Sequence, residues 1–276
     1  MVTTVNTNVG AMVALQNLNM TSKALGVVQE RINTGLKVAS AKDNGGVFAI
    51  AQNMRSDVGG LAAVQQSLDR ASSVTDVAIS AGTAISDILI EMKGKAVAAS
   101  DVSLDTSSRN ALNEDFKALR DQIKTIVSNA KFNGVNLVDG SLTNGLRALA
   151  SSDGSAHITI GTEDMSLSGS IVSLATTTQI DTATNASAAI STVENSLQNV
   201  NESLARLGTG AKKLEIHKTF VTKLSDSLTA GIGNLVDADL AQESARLQSL
   251  QVKQQLGIQA LSIANSAPQM LLGLFR

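Results

Sequence analysis

Two amphipathic helix patterns, one near each end of the chain, constrain the fold more than any other feature. In each pattern apolar residues recur at helical spacing and make one broad face. The first comprises Ala11, Leu15, Leu18, Leu25, Val28, Ile32, Leu36 and Ala39; the second comprises Leu240, Leu247, Leu250, Ile258 and Leu261, followed by Leu271, Leu272, Leu274 and Phe275. Because helix stability in water comes mostly from tertiary packing, we expect each terminal helix to need the other. Both should also need neighbouring copies of the chain, as in a polymer subunit.

The composition favours long, closely packed helices. Among 276 residues, 43% are apolar, Trp and Tyr are absent, and Pro occurs once, at Pro268, so helices can run without interruption. The absence of Cys excludes disulfides, thiolate catalysis and Cys-based metal sites. A formal charge of −2 gives no electrostatic footprint for nucleic acid or anionic membranes.

The first residues do not resemble a cleavable signal peptide. Residues 1–10 are polar and lack a basic segment followed by an apolar run. We also expect no membrane span, because no run approaches ~20 consecutive apolar residues. A secreted chain of this kind would need an export route that does not read such a signal.

Two long heptad patterns in the middle of the chain predict an elongated coiled-coil rod. One predicts a helix over about 57–99 and the other a helix over about 185–234. At ~1.5 Å per residue each would be on the order of 65–70 Å long. Their seam residues include Leu61, Leu68, Leu89 and Met92 in the first, and Val193, Val200, Leu207, Leu214, Val221 and Leu228 in the second.

A third helix and a small β element are predicted between the long helices. The third helix should end at Phe132-Asn133-Gly134, since Asn-Gly favours a turn. Over about 135–180 the period changes to two, at His157–Ile160 and again at Met165–Ser168. The predicted fold class is therefore mainly α, a helix-bundle rod with a small β-hairpin region and a terminal two-helix coiled coil.

The sequence predicts no catalytic site, cofactor or metal ion. His157 and His217 stand 60 residues apart with no Cys or metal-ligand spacing beside either, and a solvated rod face is the simpler interpretation. Gly208-Thr209-Gly210 begins like a dinucleotide loop, but no strand precedes it. It is more simply a weak point in a helix.

Four segments, in order, resemble bacterial flagellin. The four segments are Val5–Asn8, Gln29–Asp43, Phe132–Gly140, and Asp237–Glu243 with Ala264–Gln269. The second of them is similar to the family's ERLSSGLRINSAKDD signature. Only about 45 residues separate Gly140 from the fourth helix, so the large outer domains of many flagellins are not expected. The chain is thus identified as a short member of this family.

The resemblance implies a structural subunit of the bacterial flagellar filament, which drives swimming. Residues 1–40 and 236–276 would form an inner coiled-coil tube and 41–235 a surrounding rod layer. The inner-tube contacts would fall on the terminal stripes, at Leu15, Leu18, Leu25, Ile32, Leu36, Leu247, Leu250, Ile258, Leu261, Leu271 and Leu274. Implied partners are further copies of the chain, other flagellins, the type III export apparatus, a flagellin chaperone, and hook-associated junction and cap proteins, in an extracellular filament.

Two other non-enzymatic classes remain open at this point. A hook–filament junction protein shares terminal helices but should lack both the Phe132–Gly134 turn and the Ser40–Asp43 stretch. A chemoreceptor-type hairpin also has long heptads, but should carry a membrane span or a sensory module.

The resemblance also bears on the innate immune receptor for flagellin. Recognised flagellins carry a segment like LQRVRELAVQ, and this chain has Leu89–Ala98 in its place. The altered positions of this segment include Ile90, Glu91, Gly94 and Lys95. Glu91 reverses a charge, while Gly94 and Lys95 remove a hydrogen-bond acceptor and an apolar side chain that the receptor would contact. We expect poor recognition by that receptor.

Overall fold

The computed structural model describes the backbone of residues 7–273 and the side chains of residues 7–266. Within that range the helices are α1 (Val9–Thr34), α2 (Gly45–Ala99), α3 (Thr106–Asn129), α4 (Ala183–Val236) and α5 (Leu240–Gly273). The strands are β1 (Lys131–Phe132), β2 (Val135–Asn136), β3 (Leu146–Leu149) and β4 (His157–Ile160), in two separate antiparallel pairs. The prediction of a mainly α chain with a small β region is confirmed.

The chain divides into two compact units. The terminal unit contains the described residues up to Ser56 and those from Ser227 on, and the central unit is Asp57–Asp226. The predicted boundary at residue 236 falls at the end of α4, and the one at residue 40 falls in the turn between α1 and α2.

α1 ends earlier than its apolar stripe suggests. Asn8 caps its start by accepting from the Ala11 N–H at 3.0 Å. At its end Gly35 adopts the left-handed conformation, with φ of 72°, and donates its N–H to the Arg31 carbonyl. Leu36 therefore lies outside the helix and forms an isolated antiparallel bridge with Asp237.

A carboxylate organises the turn between α1 and α2. One oxygen of Asp43 accepts from the Ala39 and Ser40 N–H groups, at 3.0 and 2.8 Å, and from the Ser40 hydroxyl at 3.1 Å. These hydrogen bonds stabilise the ionised form and lower the pKa of Asp43. Asn44 then caps α2 by accepting from Val47 N–H at 3.1 Å. α2 consequently begins at Gly45, twelve residues before the predicted start near residue 57.

In the central unit α2 and α4 pack antiparallel in one constant register. Four pairs across the two helices record it: Gln65 with Thr222, Asp69 with Lys218, Ser86 with Asn201 and Lys93 with Glu194. Every seventh residue of the α4 seam is buried, and so is the start of the α2 seam. Each of these side chains is at most 5% exposed: Val193, Val200, Leu207, Leu214 and Val221 on α4, and Leu61, Val64, Leu68, Ala71 and Val74 on α2. The register extends over nearly 30 residues, about 42 Å of helix.

The region after α3 differs from the sequence prediction. α3 ends at Asn129, and Phe132 belongs to β1. Asn133 and Gly134 both have positive φ, 50° and 81°, which is the backbone of a tight hairpin turn. The Phe132–Gly134 motif therefore turns a two-stranded hairpin and does not terminate the helix.

Only one of the two predicted alternating segments forms a strand. His157–Ile160 is β4 and pairs with β3. Met165–Ser168 is irregular, because Asp164 accepts from the Ser166 N–H at 3.1 Å and Ser168 takes a positive φ of 63°. Such local side-chain bonds compete with strand pairing.

Two helical glycines mark close packing. A Cβ on Gly210 would lie 2.9 Å from Cδ1 of Ile160 on β4, and one on Gly82 would lie 2.9 Å from Leu204. Gly210 thus lets the β3–β4 hairpin approach α4, which is a more specific role than the weak point predicted from sequence.

α2 is long and apolar enough to span a membrane by length and composition, with a mean hydropathy of 1.4 over its most apolar window. Counting consecutive apolar residues missed this, because small polar residues interrupt the run. In that window 44% of the residues are buried inside the protein. From Asp57 on, this helix contributes buried seam residues to the central unit.

Candidate functional site

The terminal unit presents two helices that bury little of their apolar surface. α1 and α5 pack against each other, yet Val28 is the one fully buried side chain of α1. Leu18, Leu25, Ile32 and Leu36 are half-buried, and Leu15 is 48% exposed. The helix pair satisfies one side of α1 and leaves the other uncovered.

α5 contributes Leu247, Leu250 and Leu261 to its partly buried face, whereas Ile258 is 54% exposed. At the seam position beside Ile258 stands Gly257, where a Cβ would lie 3.3 Å from Cδ1 of Leu18. The glycine lets α1 approach closely and turns Ile258 to the outer face. The predicted contact residue Leu271 belongs to the segment without described side chains, and Leu274 lies outside the described residues.

Polar contacts near both ends of the pair fix how α1 and α5 align. The Asn8 amide donates to the Ala264 carbonyl at 2.6 Å. At the other end Nη1 of Arg31 donates to Oε1 of Glu243 at 2.9 Å, and the Glu243 side chain is only 7% exposed. The second Glu243 oxygen has no hydrogen-bond partner in the described chain.

Beyond the helix pair, a small apolar cluster joins the chain segments that enter and leave the terminal helices. Val38, Ala51 and Val236 are buried there, with Phe48 and Ile232 packed against them. The Lys37 and Val38 N–H groups donate to the Val236 carbonyl at 2.7 and 3.3 Å, and Ala238 N–H donates to the Gly35 carbonyl. These hydrogen bonds join the segment that follows α1 to the segment that follows α4.

The outer faces of α1 and α5 together expose eleven large apolar side chains. They are Val9, Met12, Val13, Leu15, Met20 and Val27 on α1, and Leu240, Val252, Leu256, Ile258 and Ile263 on α5, each between 44% and 70% exposed. Covering the exposed half of each is worth ~1 kcal/mol, or about 10 kcal/mol in all before the cost of association. Exposed apolar side chains in this number on one helix pair are typical of an interaction site.

The central unit presents a different surface. Its predicted seam residues Leu61, Leu68, Leu89, Met92, Val193, Val200, Leu207, Leu214 and Val221 are buried, while Leu228, which falls in the terminal unit, is half-buried. In Leu89–Ala98, the segment that corresponds to the receptor-binding one of recognised flagellins, Ile90, Glu91 and Gly94 are exposed. Lys95 forms an ion pair with Asp115 at 2.7 Å. The seam side chains of α2 and the exposed residues of this segment therefore point in different directions.

His217 contacts the backbone of the β3–β4 connection. Nε2 of His217 lies 2.8 Å from the Ala150 carbonyl, so His217 attaches the β3–β4 hairpin to α4, a structural role that the sequence did not predict. Among the described residues no group of three His, Asp or Glu side chains could hold a metal ion.

Family models match most of the chain. The N-terminal helical region of bacterial flagellin matches residues 5–143, and the C-terminal helical region of bacterial flagellin matches residues 190–275.

Relatives agree with these matches. The chain is 55% identical to flagellin FljK of Caulobacter vibrioides, over 99% of this chain and 98% of that protein. It is 37% identical to a flagellin of Brucella melitensis, over 98% of each.

Solved structures share the fold. The crystal structure of Bacillus cereus flagellin aligns with a TM-score of 0.50 at 22% identity, over 56% of this chain and 88% of that one. A putative flagellar hook-associated protein from Vibrio parahaemolyticus aligns with a TM-score of 0.55 at 14% identity, over 71% of this chain and all of that one. At such identities the likeness concerns the fold alone, and the family follows from the sequence matches. The chain belongs to the bacterial flagellin family, as a short form, and is a structural subunit of the flagellar filament.

Proposed function

We propose that α1 and α5 supply the principal subunit contacts of the filament, through the apolar faces that their own pairing leaves exposed. The observation that carries this proposal is the pair of uncovered faces on two helices whose mutual packing buries a single α1 side chain completely. Covering those faces makes about 10 kcal/mol available before the entropic cost of association, which is of the same order as that cost and can offset it.

The same burial pattern supports different roles for the two units in the filament. The central unit has a complete core of its own along the α2–α4 seam. The terminal unit completes its apolar packing when neighbouring copies cover α1 and α5, so it forms the inner layer of the polymer. The central unit then forms the layer around it.

We infer the remaining partners from the chain's membership of the flagellin family. A chain of this kind is exported through the flagellar type III apparatus, is held by a chaperone that shields its exposed terminal helices, and meets hook-associated junction and cap proteins at the filament ends. It also copolymerises with other flagellins. The filament role requires no catalytic activity of the subunit.

Truncation tests the role of the terminal helices. Deleting residues 1–40 or residues 240–276 should leave a folded central unit, seen as retained helical circular dichroism, that forms no filaments in negative-stain micrographs of concentrated protein. A chain carrying Lys124→Glu on the exposed side of α3 serves as a polymerising control. Normal filaments from either truncated protein would show that the subunit contacts lie elsewhere.

Point variants address the same surface without removing a helix. Replacing exposed Ile258 and Ile263 by Ser should raise the critical concentration for polymerisation at least tenfold. Replacing Lys253, which is exposed on the same helix, by Ser should change it less than threefold. Equal effects of the two changes would contradict an apolar contact on α5.

A further inference from the structure

A basic ridge with an apolar centre lies on the outer face of α4 in the central unit. Ile216 and Phe220 are one helical turn apart and 60% and 56% exposed. Lys212, Lys213 and Lys223 surround them on the same face and are also exposed. We call these five residues the basic ridge. Two large apolar side chains one turn apart on an outer face, surrounded by charges, mark a candidate contact surface.

The lysines of the basic ridge are uncommitted in the described part of the chain. None of the three forms an ion pair there, whereas the neighbouring Lys218 bonds Asp69. Two exposed acidic side chains, Glu215 and Asp226, flank the three lysines of the ridge on α4. The ridge therefore carries a net positive charge around an apolar centre.

A second exposed patch, on α2, has the opposite charge. Ile90 and Val97 are seven residues apart on one helix face and are 56% and 48% exposed. Asp87 and Glu91 are exposed beside them, and neither forms an ion pair with a described residue. We call these four residues the acidic patch. Lys93 and Lys95, the nearby bases, are already bonded to Glu194 and Asp115.

The ridge and the patch are well separated along the central unit. The Asp69–Lys218 pair sets the level of the ridge against α2. The acidic patch lies about 25 residues further along α2, on the order of 35 Å away. The two surfaces of one chain therefore cannot meet each other, but they can meet on two different copies.

We propose that the basic ridge of one subunit docks on the acidic patch of a second copy of this chain in the filament. Each surface offers two apolar side chains and unpaired charges of complementary sign, which specify orientation and partner. Because the two surfaces are distinct and displaced along the helix axis, the contact is heterologous and generates an open, growing chain of subunits. The proposal rests on the filament function and adds a specific contact between central units.

Charge reversal and mixing test this contact on the full-length chain. One variant carries Lys212→Glu, Lys213→Glu and Lys223→Glu, and the other carries Asp87→Lys and Glu91→Lys. Each alone should raise the critical concentration at least tenfold, measured by sedimentation of polymer. An equimolar mixture should return to within about threefold of the unmodified protein, because every ridge then faces a patch of opposite charge. Circular dichroism checks that both variants remain folded.

The control and the contrary results separate this proposal from the filament function. A chain carrying Lys124→Glu and Lys131→Glu, two exposed positions that belong to neither surface, should polymerise normally. If the unmodified and control chains form filaments but the mixture of reversed chains does not, the ridge and patch serve another partner and the proposal is wrong. If each reversed variant polymerises normally alone, it is wrong as well. Failure of the unmodified chain to polymerise would overturn the filament function itself.

Discussion

Breaking the ion pair between Glu163 and Arg206 should destabilise the central unit more than any exposed ion pair does. Nε and Nη2 of Arg206 donate to the two carboxylate oxygens of Glu163 at 2.8 and 2.6 Å. The Glu163 side chain is 8% exposed and that of Arg206 is 55% exposed. Arg206 also donates to the Ser203 hydroxyl. The pair attaches the irregular segment after β4 to α4.

The magnitude follows from this uneven burial. Removing one partner of a fully buried pair costs ~3–5 kcal/mol because a charge is left without compensation. Here water can reach the arginine side, so we expect Arg206→Met to lower the free energy of unfolding by about 2 kcal/mol. Glu163→Gln keeps the shape and loses only the charge-assisted part of the bonds, about 1 kcal/mol. The double variant should lose about 1.5 kcal/mol, so the coupling energy is about 1.5 kcal/mol.

Urea unfolding followed by circular dichroism measures these values, since the chain has no Trp or Tyr for intrinsic fluorescence. Hydrogen exchange gives a local readout, because the Glu163 N–H donates to the Leu137 carbonyl at 2.8 Å and should lose protection in Arg206→Met. The matched control is Lys218→Met, which breaks an ion pair exposed on both sides and should cost less than about 0.5 kcal/mol. A coupling energy below about 0.5 kcal/mol would refute the reasoning from burial.

Three further predictions concern other parts of the chain. Gly60→Ala should lower the free energy of unfolding by about 1–3 kcal/mol, because the new Cβ would lie 2.5 Å from the Ser152 carbonyl oxygen. In the control Gly59→Ala the new Cβ meets no atom within 4 Å, so this change should raise the free energy of unfolding by about 0.5–1 kcal/mol. Equal urea midpoints for the two variants would contradict this. Amide hydrogens of residues 18–36 should exchange much faster in the monomer than in the filament, since α1 buries so little; mass spectrometry showing equal protection would be the contrary result. Purified monomer should be a poor agonist of the innate immune receptor for flagellin in reporter cells, because three altered contacts together remove most of a binding hot spot; installing the recognised segment LQRVRELAVQ over residues 89–98 should raise the potency, and unchanged potency would show that this segment does not control recognition.

The long helices could be predicted from the sequence because their signal is local and repeated. The α4 seam repeats every seven residues from Val193 to Val221, and all five seam side chains are buried. The end of α2 was also predicted at Ala99, where the heptads stop. Its start was misplaced because an Asn44 cap, not the apolar pattern, decides where the helix begins.

Features that depend on distant residues could not be read in this way. Gly210 looks like a weak position in α4 until Ile160 of β4 is seen against it. Glu163 lies 43 residues from its partner Arg206, and no spacing rule connects them. Similarly, Ile258 continues an apolar run, but Gly257 takes the seam position because α1 approaches there.

The pairing of α1 with α5 also has a consequence for the order of events during protein synthesis. Asn8 and Ala264, which bond across the pair, are 256 residues apart in sequence. At ~5–20 residues per second, the ribosome finishes α5 roughly 10–50 s after α1 has emerged. Throughout that interval α1 has no partner, while the central unit can already complete its seam. The α1–α5 pair therefore cannot form before synthesis of α5 is complete. A partly made chain lacks the paired helices that other subunits would contact, so only a finished chain can join them.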